Sequence, residues 1–200
     1  MNSKTIIGAV VAVVVVVGGF LAYQYMRIKA EAAKWAGPIK EIVEEKATKD
    51  GDVTTTHFVS IVDAPLDKVQ AALWDVEHSQ DMVENIRLSK LLQQDGNTKT
   101  VEMHLQALNL PLQYFTMKFT LDPAEHRISF KTVESQLQDL EGYYQLEASP
   151  DGTKTRVTYE SKGRDKVALP FPQSVVDSAN RETFVNTMRG AKKMAQQAGG

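Results

Sequence analysis

The stretch LEGYYQLEASPDGTKTRVTYES, residues 140–161, decides the fold. Apolar residues or glycine occupy every second position from Leu140 to Leu146, and Val157 and Tyr159 repeat this spacing after a Pro-Asp-Gly sequence. Alternation with a period of two predicts β-strands with one apolar face, and Pro-Asp-Gly predicts a tight turn between them. The stretch therefore predicts an antiparallel hairpin that buries one of its two faces.

Four further strands with the same alternation precede this hairpin. The sequence predicts them at residues 86–93, 99–107, 113–121 and 127–133. Their connections are short, and the first contains Asp95-Gly96-Asn97, a strong turn sequence. Parallel neighbours would need long crossover connections, so all of these strands are predicted to be antiparallel neighbours in one sheet. One face of the sheet is apolar and must be covered.

Helical patterns flank the strands on both sides. An earlier β-branched strand, Val53–Val62, is followed by two short helices between Pro65 and Glu84, where apolar residues recur at helical spacing. Residues 173–196 follow the last strand, and their apolar residues form one broad stripe of an amphipathic helix. The apolar face of the sheet is the available partner for this stripe. The pattern thus predicts an α+β domain with its C-terminal helix packed on the sheet.

The N-terminal region has a different composition. Ile6–Tyr23 carries no charged residue, and at about 1.5 Å per residue a helix of this length approaches the ~30 Å thickness of a bilayer's hydrocarbon core. The alternative is a cleaved signal peptide, but the apolar run exceeds an ordinary signal-peptide core and no cleavage sequence follows it directly. We therefore predict a transmembrane anchor at 1–25, a juxtamembrane helical stalk at 26–51 and a folded domain at 52–197.

The charges around this span leave its orientation open. Lys4 precedes the span, and three basic residues between Arg27 and Lys34 follow it. This distribution slightly favours a cytoplasmic C-terminal domain in a single-pass protein, which we expect in a bacterial inner membrane. Gly8 and Ala12 form a pair of small residues four apart, a pattern that predicts a weak homodimer through the transmembrane helix.

Composition and motif content exclude several functions. The chain contains no cysteine, so disulfides, cysteine nucleophiles and cysteine-based metal centres are excluded. A formal net charge of -2 argues against a nucleic-acid partner, which needs a dense basic surface. The four histidines lack metal-binding spacing, and no nucleotide-binding or serine-hydrolase motif occurs, so no metal site, cofactor or catalytic residue is predicted. Among the charged residues, Glu134, Arg164 and Asp165 are the candidates for a place inside a pocket.

Two segments resemble the START-like helix-grip superfamily, also called SRPBCC. Residues 59–75, with VSIVDAP followed by LWD, resemble its opening strand and first helix, and residues 141–159 resemble its late hairpin. The resemblance extends over about residues 53–195 and is strongest to the polyketide cyclase/dehydrase and coenzyme-Q-binding branch. It implies a helix-grip fold, in which a curved sheet wraps around the C-terminal helix and leaves a cavity for a lipid, quinone, sterol or polyketide.

The resemblance also implies which residues line that cavity. They are inward-facing apolar and aromatic side chains, which adapt well to an apolar ligand. The expected lining is Met103, Leu105, Phe115, Met117, Phe119, Phe130, Tyr144, Phe184 and Met188. Two apolar loops are expected to flank the cavity mouth through Leu108, Leu110, Leu169 and Phe171. The alternatives are a filled core and ordinary packing of the loops against the helix ends.

Together these features predict a membrane-anchored START-like domain that binds an apolar small molecule for transport, sequestration or presentation. This hypothesis describes a binding protein rather than an enzyme. A second hypothesis is a polyketide cyclase or dehydratase, which would need an acid/base pair inside the cavity. A third is a protein-interaction module with a filled core.

Overall fold

The computed structural model describes residues 3–35, 41–107, 111–167 and 171–197, with the backbone alone for residues 3–18. The chain divides into two compact units, Met1–Pro38 and Ile39–Gly200. The first contains helix α1 (Ser3–Trp35), which includes the predicted span Ile6–Tyr23. Gly8 and Ala12, the pair predicted to form a homodimer contact, are described by their backbone alone. No helix within the described ranges combines the length and the hydropathy needed to cross a membrane.

The second unit is built on an antiparallel sheet of eight strands. The strands are β1 (Glu44–Asp50), β2 (Val53–Val62), β3 (Ile86–Asp95), β4 (Thr98–Leu105), β5 (Gln113–Asp122), β6 (Arg127–Ser135), β7 (Gln138–Ala148) and β8 (Thr155–Asp165). Their spatial order is β1-β2-β8-β7-β6-β5-β4-β3, so β1 and β3 form the edges. Each later strand from β4 to β8 pairs with the one before it, as short connections require.

Helices cover the apolar face of the curved sheet. They are α2 (Leu66–Trp74), a 3-10 turn (Val76–His78), α3 (Ser79–Met82) and the long α4 (Gln173–Gln197). Phe184 of α4 belongs to the same buried cluster as Phe58 of β2, Ile128 of β6 and Val157 of β8. The hydrophobic core therefore lies between α4 and the sheet, and the predicted α+β architecture is confirmed.

Most element bounds match the sequence prediction closely. β2 and the start of α4 fall at the predicted residues, and each strand from β3 to β8 begins within two residues of its predicted start. These elements were predictable because each has one buried and one solvated face, which gives an unambiguous period.

Strand β1 is the main difference from the sequence prediction. Residues 26–51 were predicted to form a helical stalk, but α1 ends at Trp35 and Glu44–Asp50 form a strand against β2. Every residue of β1 is exposed, so the segment carries no apolar alternation, and its EEKATKD sequence favours a helix by composition. The free edge of β2 overrides this preference because it offers a row of unpaired backbone groups.

Three carboxylates around β1 also pair with arginines of the domain. The pairs are Glu44 with Arg156 at 2.7 Å, Glu45 with Arg181 at 3.1 Å and Glu41 with Arg189 at 2.5 Å. The hydrogen bond from Arg156 lowers the pKa of Glu44. Since two of these arginines lie on α4, the pairs connect the edge strand to the C-terminal helix as well as to the sheet.

Candidate ligand-binding site

An apolar chamber lies between the sheet and the three helices of the second unit. Its volume is about 160 Å³, and its wall contains residues from strands β3 to β8, with Ala72 from α2, Met82 from α3 and Ala191 from α4. A cavity of about 150 Å³ is large enough to bind benzene, so this chamber has room for about one aromatic ring.

A second chamber adjoins the first, nearer the start of α4. Its volume is about 100 Å³, and Gln113, Gln138 and Asn180 contribute polar side chains to its wall. We call the two spaces the apolar chamber and the polar chamber. The residues that line both are Leu105, Phe115, Leu140, Tyr144, Tyr159 and Thr183. The shared wall makes the chambers two parts of one site.

The structure brings most of the predicted lining together. The members that line the apolar chamber are Met103, Leu105, Phe115, Met117, Phe119, Phe130 and Tyr144. Phe184 lines the polar chamber instead. Met188 is 3% exposed and belongs to the packed core, outside the lining of both chambers.

The four residues predicted to flank the cavity mouth are not brought together at the chambers by the described structure. Leu108, Leu110 and Leu169 lie outside the described residues. Phe171 packs with Val175 against a small cluster formed by Ala107 and Ala179, at the start of α4. This contact is ordinary packing of a loop residue against a helix end, the alternative to a place at the cavity mouth.

Six aromatic rings among the described residues form a connected cluster, and all of them except Phe58 line the chambers. Phe119 lies 6.2 Å from Phe130. Phe130 lies 5.6 Å from Tyr144 and 5.7 Å from Tyr159, and the two tyrosine rings are 5.1 Å apart. Tyr159 continues the cluster to Phe184 at 5.6 Å and to Phe58 at 6.1 Å. Such offset and tilted contacts fix ring orientation, so the wall of the site is well ordered.

Burial controls the chemistry of the two tyrosines in this wall. It raises the pKa of Tyr144 far above its ordinary value, and the neighbouring Tyr159 adds to the effect. Burial also raises the pKa of Tyr159, while a hydrogen bond with Ser161 opposes the rise. Both phenols therefore stay protonated and uncharged at physiological pH.

Gly142 allows the sheet to close around this aromatic cluster. A Cβ atom there would press on the Glu160 carbonyl oxygen and would lie 2.7 Å from Phe130 Cζ and 2.9 Å from Ser161 Cα. Separations this short exclude any side chain without backbone movement. The missing Cβ provides the space in which the Phe130 ring lies.

Leu140, Tyr159 and Thr183 line both chambers and were missed by the sequence prediction. Leu140 and Tyr159 occupy inward register positions of β7 and β8, so their alternation was a usable signal. Thr183 carried no such signal because a threonine on a helix is usually solvated. Its hydroxyl donates to the Ala179 carbonyl at 2.9 Å and accepts a hydrogen bond from Asn85 at 2.7 Å.

The charged residues considered as pocket candidates lie outside both chambers. Asp165 binds Lys49 at 2.8 Å, Arg164 lies 3.5 Å from Asp52, and Glu134 is exposed. Across the described lining of the two chambers there is no carboxylate, imidazole, ammonium or guanidinium group.

Polar networks occupy the opposite face of the sheet. The Tyr143 hydroxyl bonds Glu160 and is the main cause of that carboxyl's lowered pKa, and His57 Nδ1 lies 3.2 Å from Glu160 Oε1. The Arg127 guanidinium also stacks 4.4 Å from the Tyr143 ring. Tyr143 and Tyr144 are thus neighbours in sequence that face opposite sides of β7.

One described cluster has the residue types of a metal site. Atoms of Asp75, Glu77 and His78 lie within 4.8 Å of one another. Glu77 is already paired with Lys99, and His78 Nδ1 lies 2.7 Å from Asp75. The cluster is accounted for by these contacts, and none of its three residues lines either chamber.

Comparison with known proteins agrees with this geometry. The family model described as polyketide cyclase / dehydrase and lipid transport matches residues 62–184, which is more than half of the 200-residue chain. The chain belongs to the polyketide cyclase/dehydrase and lipid transport family. The predicted resemblance to the START-like superfamily is confirmed by this match, and no curated protein sequence matches the chain.

Solved structures with the same fold include an aromatase/cyclase, a START superfamily protein and a lipid transfer protein. The Zhui aromatase/cyclase from Streptomyces sp. R1128 is 16% identical, with a TM-score of 0.66 over 74% of this chain and 96% of that one. A START superfamily protein from Mycobacterium smegmatis is 14% identical, with a TM-score of 0.58 over 72% and 98%. A STAR-related lipid transfer protein from Xanthomonas axonopodis is 15% identical, with a TM-score of 0.55 over 76% and 99%.

Proposed function

We propose that this protein is a membrane-anchored START-like domain that binds an apolar small molecule, such as a lipid or quinone, for transport, sequestration or presentation. The observation that supports binding is the pair of joined chambers, about 160 and 100 Å³, in the centre of a domain this small. A packed core has few voids larger than a water molecule, so space on this scale gives room for a ligand.

The composition of the wall supports the same class of ligand. Apolar and aromatic side chains dominate the apolar chamber, and the polar groups are few and uncharged. This is the usual composition of a site for a small organic ligand. One structural neighbour is named as a lipid transfer protein, and a lipid is a ligand of this class. In the conformation described, a ring fits inside and a longer acyl chain would extend beyond the chambers.

Binding fits the chemistry of the chambers better than the alternative of cyclase or dehydratase catalysis. Those reactions need a group that removes a proton near neutral pH. The titratable groups in the described lining are the phenols of Tyr144 and Tyr159, and burial raises the pKa of both. A protonated phenol can donate a hydrogen bond to a ligand but is a poor base.

The binding proposal is tested by extracting the purified full-length chain with organic solvent and identifying co-purified molecules by mass spectrometry. Thr187→Phe introduces a ring into the apolar chamber and should abolish co-purification. Lys193→Phe adds the same ring at an exposed position of α4 and should leave it intact. A wild-type chain that carries no apolar molecule and binds none on addition would contradict the proposal.

Anchoring by Ile6–Tyr23 is the second part of the proposal. Its support is the absence of charge in this run, which lies within the continuous helix α1. The full-length chain should remain in the membrane pellet after alkaline carbonate extraction, whereas a chain that begins at residue 26 should be released. Release of both chains would contradict the anchor.

We place the folded domain on the cytoplasmic side because more basic residues follow the span than precede it. The natural chain lacks cysteine, so a single Lys131→Cys substitution at an exposed position gives an unambiguous reporter. In intact cells, a membrane-impermeant maleimide should fail to label this cysteine until the cells are opened. Labelling before the cells are opened would place the domain on the other side.

A further inference from the structure

The two chambers contain no group that could balance a ligand's charge. The described lining of both consists of aliphatic, aromatic, hydroxyl, amide and thioether side chains. A carboxylate or an ammonium that entered would lose its hydration and find no counter-ion, which is strongly unfavourable. The part of the ligand that is enclosed must therefore be uncharged.

Three of the five hydroxyl groups in the described lining of the apolar chamber donate to backbone carbonyl groups of the protein. The Ser79 hydroxyl donates to the Val76 carbonyl oxygen at 2.8 Å. The Thr183 hydroxyl donates to Ala179, and the Thr187 hydroxyl donates to the Thr183 carbonyl oxygen at 2.8 Å. These groups have their strongest partners without a ligand.

Tyr144 differs from them. Among the described residues, no group forms a hydrogen bond with its hydroxyl, although the side chain lines both chambers. Its ring is held between Phe130 and Tyr159, at centroid distances of 5.6 and 5.1 Å, so it cannot turn away to find a partner without breaking these contacts. A phenol donor in the chamber wall that has no acceptor in the protein is available to a ligand, and a ligand that accepts its hydrogen bond gains affinity.

We propose that the ligand presents an uncharged hydrogen-bond acceptor, such as a ketone or quinone carbonyl, to the Tyr144 hydroxyl. This inference rests on the proposed function, because it assigns the class of molecule that occupies the same site. Since burial keeps this phenol protonated, it serves as the donor and the ligand as the acceptor. Fatty acids and amines are disfavoured by the same wall.

Three compounds of similar size test the proposal on the full-length chain in lipid nanodiscs. They are acetophenone, which carries a ketone, ethylbenzene, which has no acceptor, and benzoate, which is anionic. Occupancy is read from the methyl signals of Met103 and Met117, which line the apolar chamber, after methionine is labelled with ¹³C. Titrations of protein-free nanodiscs with each compound give its free concentration.

The ketone should bind more tightly than the hydrocarbon, and at neutral pH the carboxylate should bind at least about a hundredfold more weakly than the ketone. Tyr144→Phe keeps the ring and removes the hydroxyl, so it should weaken ketone binding about three- to tenfold and leave the hydrocarbon unchanged. Tyr143→Phe is the matched control, because that hydroxyl bonds Glu160 on the opposite face. It should change neither affinity.

Two results would overturn the inference: carboxylate binding as tight as ketone binding, or a Tyr144→Phe chain that binds the ketone as well as the wild type does. In both cases the hydrocarbon would still shift the methionine signals, and the proposed function would stand. If neither the ketone nor the hydrocarbon shifts the Met103 and Met117 signals, the proposed function itself is overturned.

Discussion

Lys99 extends from β4 to the 3-10 turn, where its ammonium lies 2.6 Å from Glu77 Oε2. The Lys99 side chain is 6% exposed and that of Glu77 is 19% exposed. The same ammonium donates to the Trp74 carbonyl oxygen at 3.1 Å and lies 4.8 Å from the Trp74 ring centroid. The pair thus joins the end of α2 to the inner face of the sheet, close to the apolar chamber.

Removing one partner of this buried pair should be costly. Lys99→Met or Glu77→Leu alone should lower the free energy of unfolding by about 3–5 kcal/mol, because the remaining partner is left buried without its counterpart. The double variant Lys99→Met/Glu77→Leu should lie within about 2 kcal/mol of the wild type, because apolar packing replaces both charges. Urea denaturation of the unit Ile39–Gly200 measures all three. Additive losses in the double variant would contradict this account.

The sequence could predict the register of Lys99 but not its partner. Lys99 lies two and four residues before Val101 and Met103, whose side chains face inward, so the alternation of β4 places Lys99 on the same buried face. Glu77 lies in a short turn without periodicity, and nothing in the sequence indicates that the two residues meet. Long-range pairing of this kind depends on how the helices fold over the sheet.

The chambers show the same division between what sequence can and cannot predict. Met103 and Met188 were both predicted to line the cavity, yet Met103 borders the apolar chamber whereas Met188 lies in the buried core outside both chambers. This difference is set by how closely α4 approaches the sheet, which no local pattern encodes. Membership of the apolar interior was predictable, whereas the boundary between packed and empty space was not.

Gly142→Ala should destabilise the domain and disturb the aromatic wall. The added methyl group would meet the Glu160 backbone and would lie 2.7 Å from Phe130 Cζ, so the backbone or the ring must move. Overpacking of this kind costs about 1–3 kcal/mol, and here rigid backbone on one side favours the upper value. Glu141→Ala, at the preceding exposed position, is the control and should change the free energy of unfolding little. Equal stability of both variants would show that β7 adapts without strain.

The position of β1 changes where the folded domain begins. A chain that begins at residue 52, the boundary suggested by sequence, lacks the ladder of β1 on β2 and exposes the β2 edge. Its free energy of unfolding should be about 2–4 kcal/mol lower than that of a chain that begins at Ile39. The truncation removes the backbone hydrogen bonds of β1, and this loss is only partly offset by the conformational entropy that no longer has to be paid to order the strand. Denaturation and light scattering measure both effects, because an exposed edge also promotes association.

A triple variant distinguishes the contribution of the β1–β2 backbone hydrogen bonds to stability from that of the ion pairs around β1. Glu41→Gln/Glu44→Gln/Glu45→Gln removes the charges that face the three arginines but keeps the strand. Because these pairs are largely exposed, the triple variant should change the denaturation midpoint far less than the truncation does. A triple variant as unstable as the truncated chain would show that the ion pairs, and not the backbone ladder, hold β1.

Asp151 gives the β7–β8 hairpin a pH dependence with a defined window. Its Oδ1 accepts hydrogen bonds from the Ser149 hydroxyl at 2.5 Å and from the amide and hydroxyl of Thr153 at 3.1 and 2.9 Å. The Ser149 bond is the largest cause of a pKa lowered from 3.8 to about 2. A pKa below the ordinary value means that the ionised form stabilises the folded turn. This stabilisation is fully present above 3.8 and is lost as the pH falls toward about 2.

Amide chemical shifts of Thr153 and Lys154 should therefore follow a titration centred near 2 rather than near 3.8, because both amides belong to the turn that Asp151 and Ser149 hold. Asp151→Asn keeps an acceptor oxygen but removes the charge, so its turn should show no such titration. A wild-type midpoint at the ordinary aspartate value would mean that the hydrogen bonds to Asp151 form equally well when it is protonated. The turn would then be held by its Pro-Asp-Gly backbone geometry instead of by the carboxylate.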